Sequence, residues 1–350
     1  MSAATDFLQT AVEKGLLTET QANELHELRQ ARRKGGVAPA IQDLAIEKGF
    51  LTENQAQRLL AELEGFEFPR EIGGYRLVEK IGAGTMGTVF RAKQLSLDRT
   101  VAIKILNPPL ANRSEHVERF LREARAVAKL NHPNVISGID VGESNGVRYF
   151  VMEYASGMTV GHLLQRGGAM DESRVARIAL QIARALEHAH EARLVHRDIK
   201  PDNIMITKDG VAKLCDLGLA KDRPEEGGRA LGTPDYISPE QAEGIEEVDI
   251  RADLYSFGAT LYHMLTGQPP FEGAAKAVMV KHLSEEPTPI EELEDDVSTK
   301  LASIVSKLMR KHRMERYQTP SELVAALEAE GGPQGGPGAP VRRRTRRRRR

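Results

Sequence analysis

The chain has 350 residues, of which 40% are hydrophobic and 28% charged, a composition typical of a soluble protein with more than one domain. No apolar run reaches the ~20 residues of a membrane span and the N-terminus lacks a signal-peptide pattern, so we expect no transmembrane segment. Cys215 is the only cysteine, which excludes a disulfide framework and favours a cytoplasmic location. Eight of the 49 basic residues are arginines of the C-terminal tail, which leaves 41 basic against 50 acidic residues elsewhere.

The first 66 residues contain an internal repeat, because residues 11–25 and 45–59 are identical at ten of fifteen positions. Each copy has a glycine at the position of a helix C-cap, followed by a Thr-x-x-Gln pair with the spacing of a capping box. These residues are Gly15, Thr18 and Gln21 in the first copy and Gly49, Thr52 and Gln55 in the second. We predict a small all-α module over residues 1–66, which either docks a partner or serves as a helical spacer.

A glycine-rich stretch follows a predicted linker (residues 67–74) and a predicted strand (75–81). Residues 82–89 read Gly-Ala-Gly-Thr-Met-Gly-Thr-Val, a G-x-G-x-x-G-x-V pattern. A dinucleotide-binding loop would lead into a helix, but residues 88–93 are β-prone. A glycine turn between two strands can lie over phosphates, because no side chains obstruct the backbone.

Lys104 ends the apolar strand Val-Ala-Ile-Lys of residues 101–104. An ammonium inside such a strand is costly unless it is paired, and a phosphate and a carboxylate would pair it. Among the acids of the helix predicted over 115–130, we choose Glu123 by its position. The alternative is that Glu123 is an ordinary solvated helix charge.

Residues 195–203 bring together a carboxylate, an ammonium and an amide, and Pro201 and Asp202 predict a loop there. These groups suit phosphoryl transfer. Asp198 would accept the proton of an incoming hydroxyl, Lys200 would neutralise charge on the transferred group, and Asn203 would hold Mg²⁺. A helix predicted over 172–189 leads into this loop, and a hairpin predicted over 204–214 follows it.

The spacing His-Arg-Asp-x-Lys-x-x-Asn resembles the catalytic loop of protein kinases, and three other stretches resemble motifs of that family in the family's order. These are the glycine-rich stretch, Asp216-Leu217-Gly218 (D-F-G, with Leu at the packing position) and Ser238-Pro239-Glu240 (A-P-E). Residues 75–330 thus resemble a eukaryotic-like (Hanks-type) bacterial Ser/Thr protein kinase. The resemblance implies an α+β, bilobal protein-kinase fold: an antiparallel β N-lobe plus one helix, and a mainly helical C-lobe. The small all-α N-terminal module and a disordered basic tail would flank it.

The family's roles can be carried onto this chain residue by residue. The resemblance implies ATP and Mg²⁺ as cofactors, Asn203 and Asp216 as metal ligands, and a catalytic set of Asp198, Lys200, Lys104, Glu123 and Thr233. It implies nucleotide contacts from Ile81, Gly82, Ala83, Gly84, Thr85, Met86, Gly87, Thr88, Val89, Ala102, Lys104, Glu153 and Ala155. It also implies that His196 is structural.

Three further expectations concern charges around the catalytic loop. The resemblance implies that Asp253 braces the loop from beneath and that Arg316 pairs with Glu240, although a solvated surface pair is the alternative. Arg197 is typical of kinases that are switched on by a phosphate between D-F-G and A-P-E. Residues 217–232 contain no Ser, Thr or Tyr. We therefore hypothesise that Glu225 or Glu226 supplies that negative charge.

These observations predict a Ser/Thr protein kinase that transfers the γ-phosphoryl group of ATP to protein substrates. The alternatives are a pseudokinase scaffold that binds partners through the repeat and the tail, and a small-molecule kinase on the same fold. Residues 331–340 are rich in Gly and Pro, and the arginine run of residues 342–350 either contacts a polyanion or only aids solubility.

Overall fold

The structure is a computed structural model that describes residues 3–32, 39–52, 55–56, 59, 68–84, 86–111, 114–216, 234–245 and 247–329. The described chain divides into two compact units. The N-terminal unit takes in the described residues of 1–129 and 136–154, and the C-terminal unit takes in those of 130–135 and onward from 155. Within these described ranges, no helix has both the length and the apolar character needed to cross a membrane.

The N-terminal repeat folds into helices α1 (Ala3–Glu13), α2 (Glu19–Ala31) and α3 (Ile41–Glu47). Both predicted capping boxes are present, and the two predicted C-cap glycines have φ angles of 66° and 72°. The buried residues form one hydrophobic cluster, in which five positions recur at the 34-residue offset. These pairs are Phe7 and Ile41, Ala11 and Ala45, Leu17 and Leu51, Ala22 and Ala56, and Leu25 and Leu59. The two copies therefore share one core.

The rest of the N-terminal unit is a six-stranded antiparallel sheet with strand order β1-β2-β3-β4-β6-β5. Two helices, α4 (Pro108–Ala111) and α5 (Ser114–Val127), connect β4 to β5. β-branched and aromatic residues alternate into a buried cluster that includes Phe90, Ile103 and Val151. The strands are β1 (Glu71–Ile72), β2 (Tyr75–Ala83), β3 (Gly87–Gln94), β4 (Arg99–Leu106), β5 (Gly138–Ser144) and β6 (Val147–Glu153).

One prediction in this unit differs from the structure. The predicted linker (67–74) contributes β1, because Gly73 and Gly74 take φ angles of 55° and 86° and turn the chain into a hairpin with β2. Farther along the chain, β5 begins at Gly138, and Val135 before it forms an isolated bridge with Leu214.

The C-terminal unit is mainly helical, with a small antiparallel sheet of β7 (Gly157–Thr159), β8 (Ile204–Thr207) and β9 (Ala212–Leu214). The predicted helix is present as α7, capped by Asp171, and the predicted hairpin is present as β8 and β9. The core helix is α9 (Ile250–Thr266), which buries 14 of its 17 residues, including the polar Asp253, Ser256 and Thr260. The helices are α6 (Val160–Gly167), α7 (Glu172–Glu191), α8 (Pro239–Ala242), α9 (Ile250–Thr266), α10 (Ala275–Ser284), α11 (Ile290–Leu293), α12 (Thr299–Leu308) and α13 (Pro320–Glu328).

The predicted α+β class is confirmed, with an antiparallel sheet in one unit, a mainly helical second unit and helices before residue 50. The basic tail lies outside the described residues.

Candidate active site

The glycine-rich stretch forms the turn between β2 and β3. Gly82 pairs with Val89 and Ala83 with Thr88, and the amide of Gly84 donates to the carbonyl of Gly87 at 2.9 Å. A Cβ atom on Gly87 would lie 2.5 Å from the carbonyl oxygen of Ile105. Only glycine therefore fits where this turn passes the backbone of β4.

Lys104 and Glu123 form an ion pair inside the N-terminal unit. Lys104 Nζ lies 2.9 Å from Glu123 Oε1, and the two side chains are only 12% and 10% exposed. Lys104 pairs with Val89 on β3, the strand that follows the glycine turn. The lysine side chain therefore extends from a backbone position next to that strand. The alternative of a solvated Glu123 is wrong, because the residue is buried on the inner face of α5.

The other residues implied for nucleotide binding are distributed over both units. Ile81 is 45% exposed at the end of β2, whereas Ala102 is buried in β4 opposite Met152. Glu153 ends β6, where its amide donates to the carbonyl of Ser137 at 2.9 Å. Ala155 is buried and belongs to the C-terminal unit.

The catalytic loop brings three predicted side chains together. Lys200 Nζ lies 3.0 Å from Asp198 Oδ2, and Asn203 Nδ2 donates to the same oxygen at 3.1 Å and to the carbonyl of Asp198 at 2.8 Å. Pro201 was expected to exclude helix here, but it begins a single 3₁₀ turn, Pro201–Asn203, where a proline has no amide hydrogen to lose. This turn points Asn203 back at Asp198.

His196 is fully buried and uses both ring nitrogens. Its Nδ1 accepts from the amide of Asp198 at 3.2 Å, so Nε2 carries the ring proton and donates to the carbonyl of Cys215 at 3.1 Å. The ring thus fixes the backbone on either side of the loop. This arrangement agrees with the structural role that the family resemblance implies.

The predicted brace beneath the loop is confirmed. Asp253 Oδ2 accepts from the amide of His196 at 2.6 Å, and Oδ1 accepts from the amide of Arg197 at 2.7 Å. Burial raises the pKa of the Asp253 carboxyl to about 7, against the opposing effects of these amide donors and the Arg197 charge. Burial likewise lowers the pKa of the Arg197 guanidinium.

Two non-glycine residues near this loop adopt left-handed backbone conformations, with φ of 65° at Arg197 and 52° at Asp216. Such conformations cost on the order of 1–3 kcal/mol each and are concentrated at functional sites. The amide of Cys215 donates to the carbonyl of Asn203 at 2.9 Å, which places Asp216 one residue beyond a direct contact with the loop.

The Arg316–Glu240 pair is present, and the alternative of a solvated surface pair is wrong. The two side chains are 0% and 6% exposed, and the guanidinium contacts both carboxylate oxygens, at 2.8 and 3.0 Å. The pair therefore anchors the start of α8 to the segment that precedes α13.

Sequence reasoning missed two residues that hold the site. Gln241 Nε2 donates to the carbonyl of Arg197 at 3.0 Å, and the capping-box spacing of Ser238 and Gln241 could have drawn attention to it. Asn107 bonds to the glycine turn, and no sequence signal marks it. Thr85, Thr233, Glu225, Glu226 and the residues of 217–232 lie outside the described residues.

The described residues suit a magnesium-bound nucleotide in their chemistry. Asn203 uses Nδ2 for its contacts with Asp198, so its amide oxygen is the atom that could bind a cation, and Asp216 offers a carboxylate. The described residues contain no cluster of three or more His, Cys, Asp or Glu side chains that could hold a metal. A site of one carboxylate, one amide oxygen and nucleotide phosphates needs no such cluster.

Comparison with known proteins shows the family. Residues 75–326 match the family model described as protein kinase domain, so the chain belongs to the protein kinase family. It is 39% identical over 259 residues to a probable serine/threonine-protein kinase of Clostridium perfringens, and 40% identical over 264 residues to the serine/threonine-protein kinase PknB of Mycolicibacterium smegmatis. These matches cover 73% and 72% of this chain but only 38% and 42% of the relatives, so the chain spans about two fifths of their length.

Solved structures agree. The kinase domain of Mycobacterium tuberculosis PknI matches with a TM-score of 0.60 and 26% identity, covering 76% of this chain and all of that one. The predicted resemblance to bacterial Ser/Thr protein kinases is confirmed. The pseudokinase alternative receives no support from these comparisons.

Proposed function

We propose that this chain transfers the γ-phosphoryl group of ATP to Ser or Thr hydroxyls of protein substrates. The observation that carries the proposal is the arrangement of the catalytic loop, in which Lys200 and Asn203 both contact Oδ2 of Asp198. The cation and the amide hold the carboxylate in one orientation. Relatives that are about 40% identical to this chain are named serine/threonine-protein kinases.

Each side chain has a task that follows from its chemistry. Asp198 aligns the acceptor hydroxyl and takes its proton, and Lys200 offsets the negative charge of the transferred group. Lys104, oriented by Glu123, holds phosphate oxygens beneath the glycine turn. Asn203 and Asp216 supply oxygen ligands for Mg²⁺, which would neutralise phosphate charge when bound. Positioning and charge neutralisation supply most of the rate.

The decisive experiment replaces the carboxylate by its neutral isostere. Asp198→Asn should lower phosphorylation of a generic basic protein by about 10²–10⁴-fold, since a positioned base contributes that much. Binding of ATP with Mg²⁺, followed by calorimetric titration, should be retained. Asp209→Asn, in the exposed turn between β8 and β9, is the matched control and should act as wild type. If Asp198→Asn phosphorylates as fast as wild type, the role of Asp198 is wrong.

The flanking segments carry two further proposals. The shared core of residues 7–59 supports a folded N-terminal module that docks a partner, and comparing substrate phosphorylation with and without residues 1–66 tests this. The arginine run of residues 342–350 would contact a polyanion, which salt-dependent binding to an RNA or anionic vesicle tests.

The single cysteine supports a cytoplasmic location.

A further inference from the structure

Asn107 lies directly after β4 and is buried, with 7% of its surface exposed. Strands β3 and β4 pair regularly as far as Gly87 opposite Leu106. The amide of Asn107 continues this ladder by one bond, donating to the carbonyl of Met86 at 3.0 Å. The residue therefore stands where the sheet gives way to the glycine turn.

The side chain of Asn107 reaches both arms of that turn. Its Nδ2 donates to the carbonyl of Gly84, on the arm that leaves β2, at 3.2 Å. Its Oδ1 accepts from the hydroxyl of Thr88, on the arm that enters β3, at 3.2 Å. Together with the backbone bond to Met86, these make three hydrogen bonds between Asn107 and described residues of the turn.

The chemistry of the partners fixes the orientation of the amide. The carbonyl of Gly84 can only accept, so the NH₂ group must face it. The Thr88 hydroxyl can donate, and it is 5% exposed, so it meets the amide oxygen. Alanine at position 107 would offer neither group, and aspartate would offer the acceptor but set a carboxylate oxygen against a carbonyl oxygen.

We propose that Asn107 is a positioning residue that fixes the glycine turn in the conformation that receives the nucleotide phosphates. A turn with several glycines has many accessible backbone conformations, and ordering it on binding opposes affinity. Asn107 orders the turn before the ligand arrives. The kinetic consequence rests on the proposed kinase function, whereas the ordering of the turn does not.

The first readout is amide hydrogen exchange over residues 82–89 in the nucleotide-free chain. Asn107→Ala should speed exchange there, because the turn can then open without breaking the hydrogen bonds of the Asn107 side chain. Asn107→Asp, which keeps the size of the side chain, should speed it as well. The second readout is kinetic. Both variants should raise the KM for ATP roughly three- to tenfold, the effect of about one lost hydrogen bond, with kcat at saturating ATP nearly unchanged.

Asn134 gives a matched control, since it is also 7% exposed and its Nδ2 donates to Gln181 Oε1 at 2.9 Å and to the carbonyl of Ala212 at 2.8 Å. Asn134→Ala should lower the melting temperature but leave exchange over residues 82–89 unchanged. The proposal is overturned if Asn107→Asp exchanges like wild type there, because the residue then acts only by its size. It is also overturned if the Asn134 variant speeds exchange there equally. If wild type transfers no phosphate, the proposed function fails, and the exchange readout still decides the role of Asn107.

Discussion

Two ion pairs, one in each unit, differ in how completely the protein closes around them. Arg316 uses all five of its N–H donors: two on Glu240, and three on the carbonyls of Arg310, Arg251 and Lys311. Its side chain is fully buried and stacks over the ring of Tyr255 at 4.8 Å.

Lys104 meets Glu123 through one carboxylate oxygen, and both side chains keep about a tenth of their surface exposed. A flexible ammonium can redirect its donors, whereas a guanidinium held by five acceptors cannot. The pair in the C-terminal unit is therefore a fixed structural joint, whereas the pair in the N-terminal unit can still respond to a ligand.

The largest expected effect on stability comes from breaking the closed pair. Arg316→Met would leave the Glu240 charge buried without its partner, and such a loss costs about 3–5 kcal/mol. Denaturant titration measures the change in the free energy of unfolding. Arg184→Met is the control, because its pair with Glu328 is about half exposed and should be worth no more than ~1 kcal/mol. Equal losses in the two variants would show that the Arg316 pair is not a structural joint.

A second effect concerns buried groups beside the same joint. His282 is 0% exposed and bonds through Nδ1 to the hydroxyl of Tyr255 at 2.9 Å, and Lys311 Nζ lies 3.2 Å from that hydroxyl. Burial, and next the Lys311 charge, lower the pKa of His282 from 6.5 to about 4. Between pH 6.5 and about 4, His282 is therefore protonated in the unfolded chain but stays neutral in the folded chain.

Stability should consequently fall as the pH drops from 6.5 to about 4, by about 3 kcal/mol for a shift of this size. His282→Gln should flatten that part of the pH profile of unfolding free energy. The same change at His26, exposed on α2, should leave the profile as it is. A profile that keeps its full slope in His282→Gln would assign the acid sensitivity to other groups.

The comparison also shows how far sequence reasoning reaches. The partners Lys104 and Glu123, and the set around Asp198, follow from short motifs, because phosphoryl transfer demands particular groups at particular spacings. The sequence places Arg316 and Glu240 76 residues apart, and it does not show that both are buried, since only the packed fold removes them from water. The contacts of Asn107 arise in the same way, from a tertiary approach between β4 and the glycine turn.

The smallest effect on stability is expected at the open pair. Lys104→Met leaves Glu123 without this ammonium, whereas Arg316→Met leaves Glu240 and also removes three hydrogen bonds to backbone carbonyls, so the free energy of unfolding should change less in Lys104→Met. Phosphoryl transfer should fall by roughly a hundredfold or more, the scale expected when a group that stabilises transferring charge is removed. Arg91→Met, whose exposed pair with Glu79 lies on the same sheet, is the control for loss of a cation.

For each variant, the change in unfolding free energy can be compared with the change in kcat/KM. Arg316→Met should change mainly the unfolding free energy, with the activity of the folded fraction largely kept. Lys104→Met should change mainly kcat/KM. A Lys104 variant that loses as much stability as Arg316→Met, with unchanged kcat/KM in the folded fraction, would make both pairs structural and remove the distinction between them.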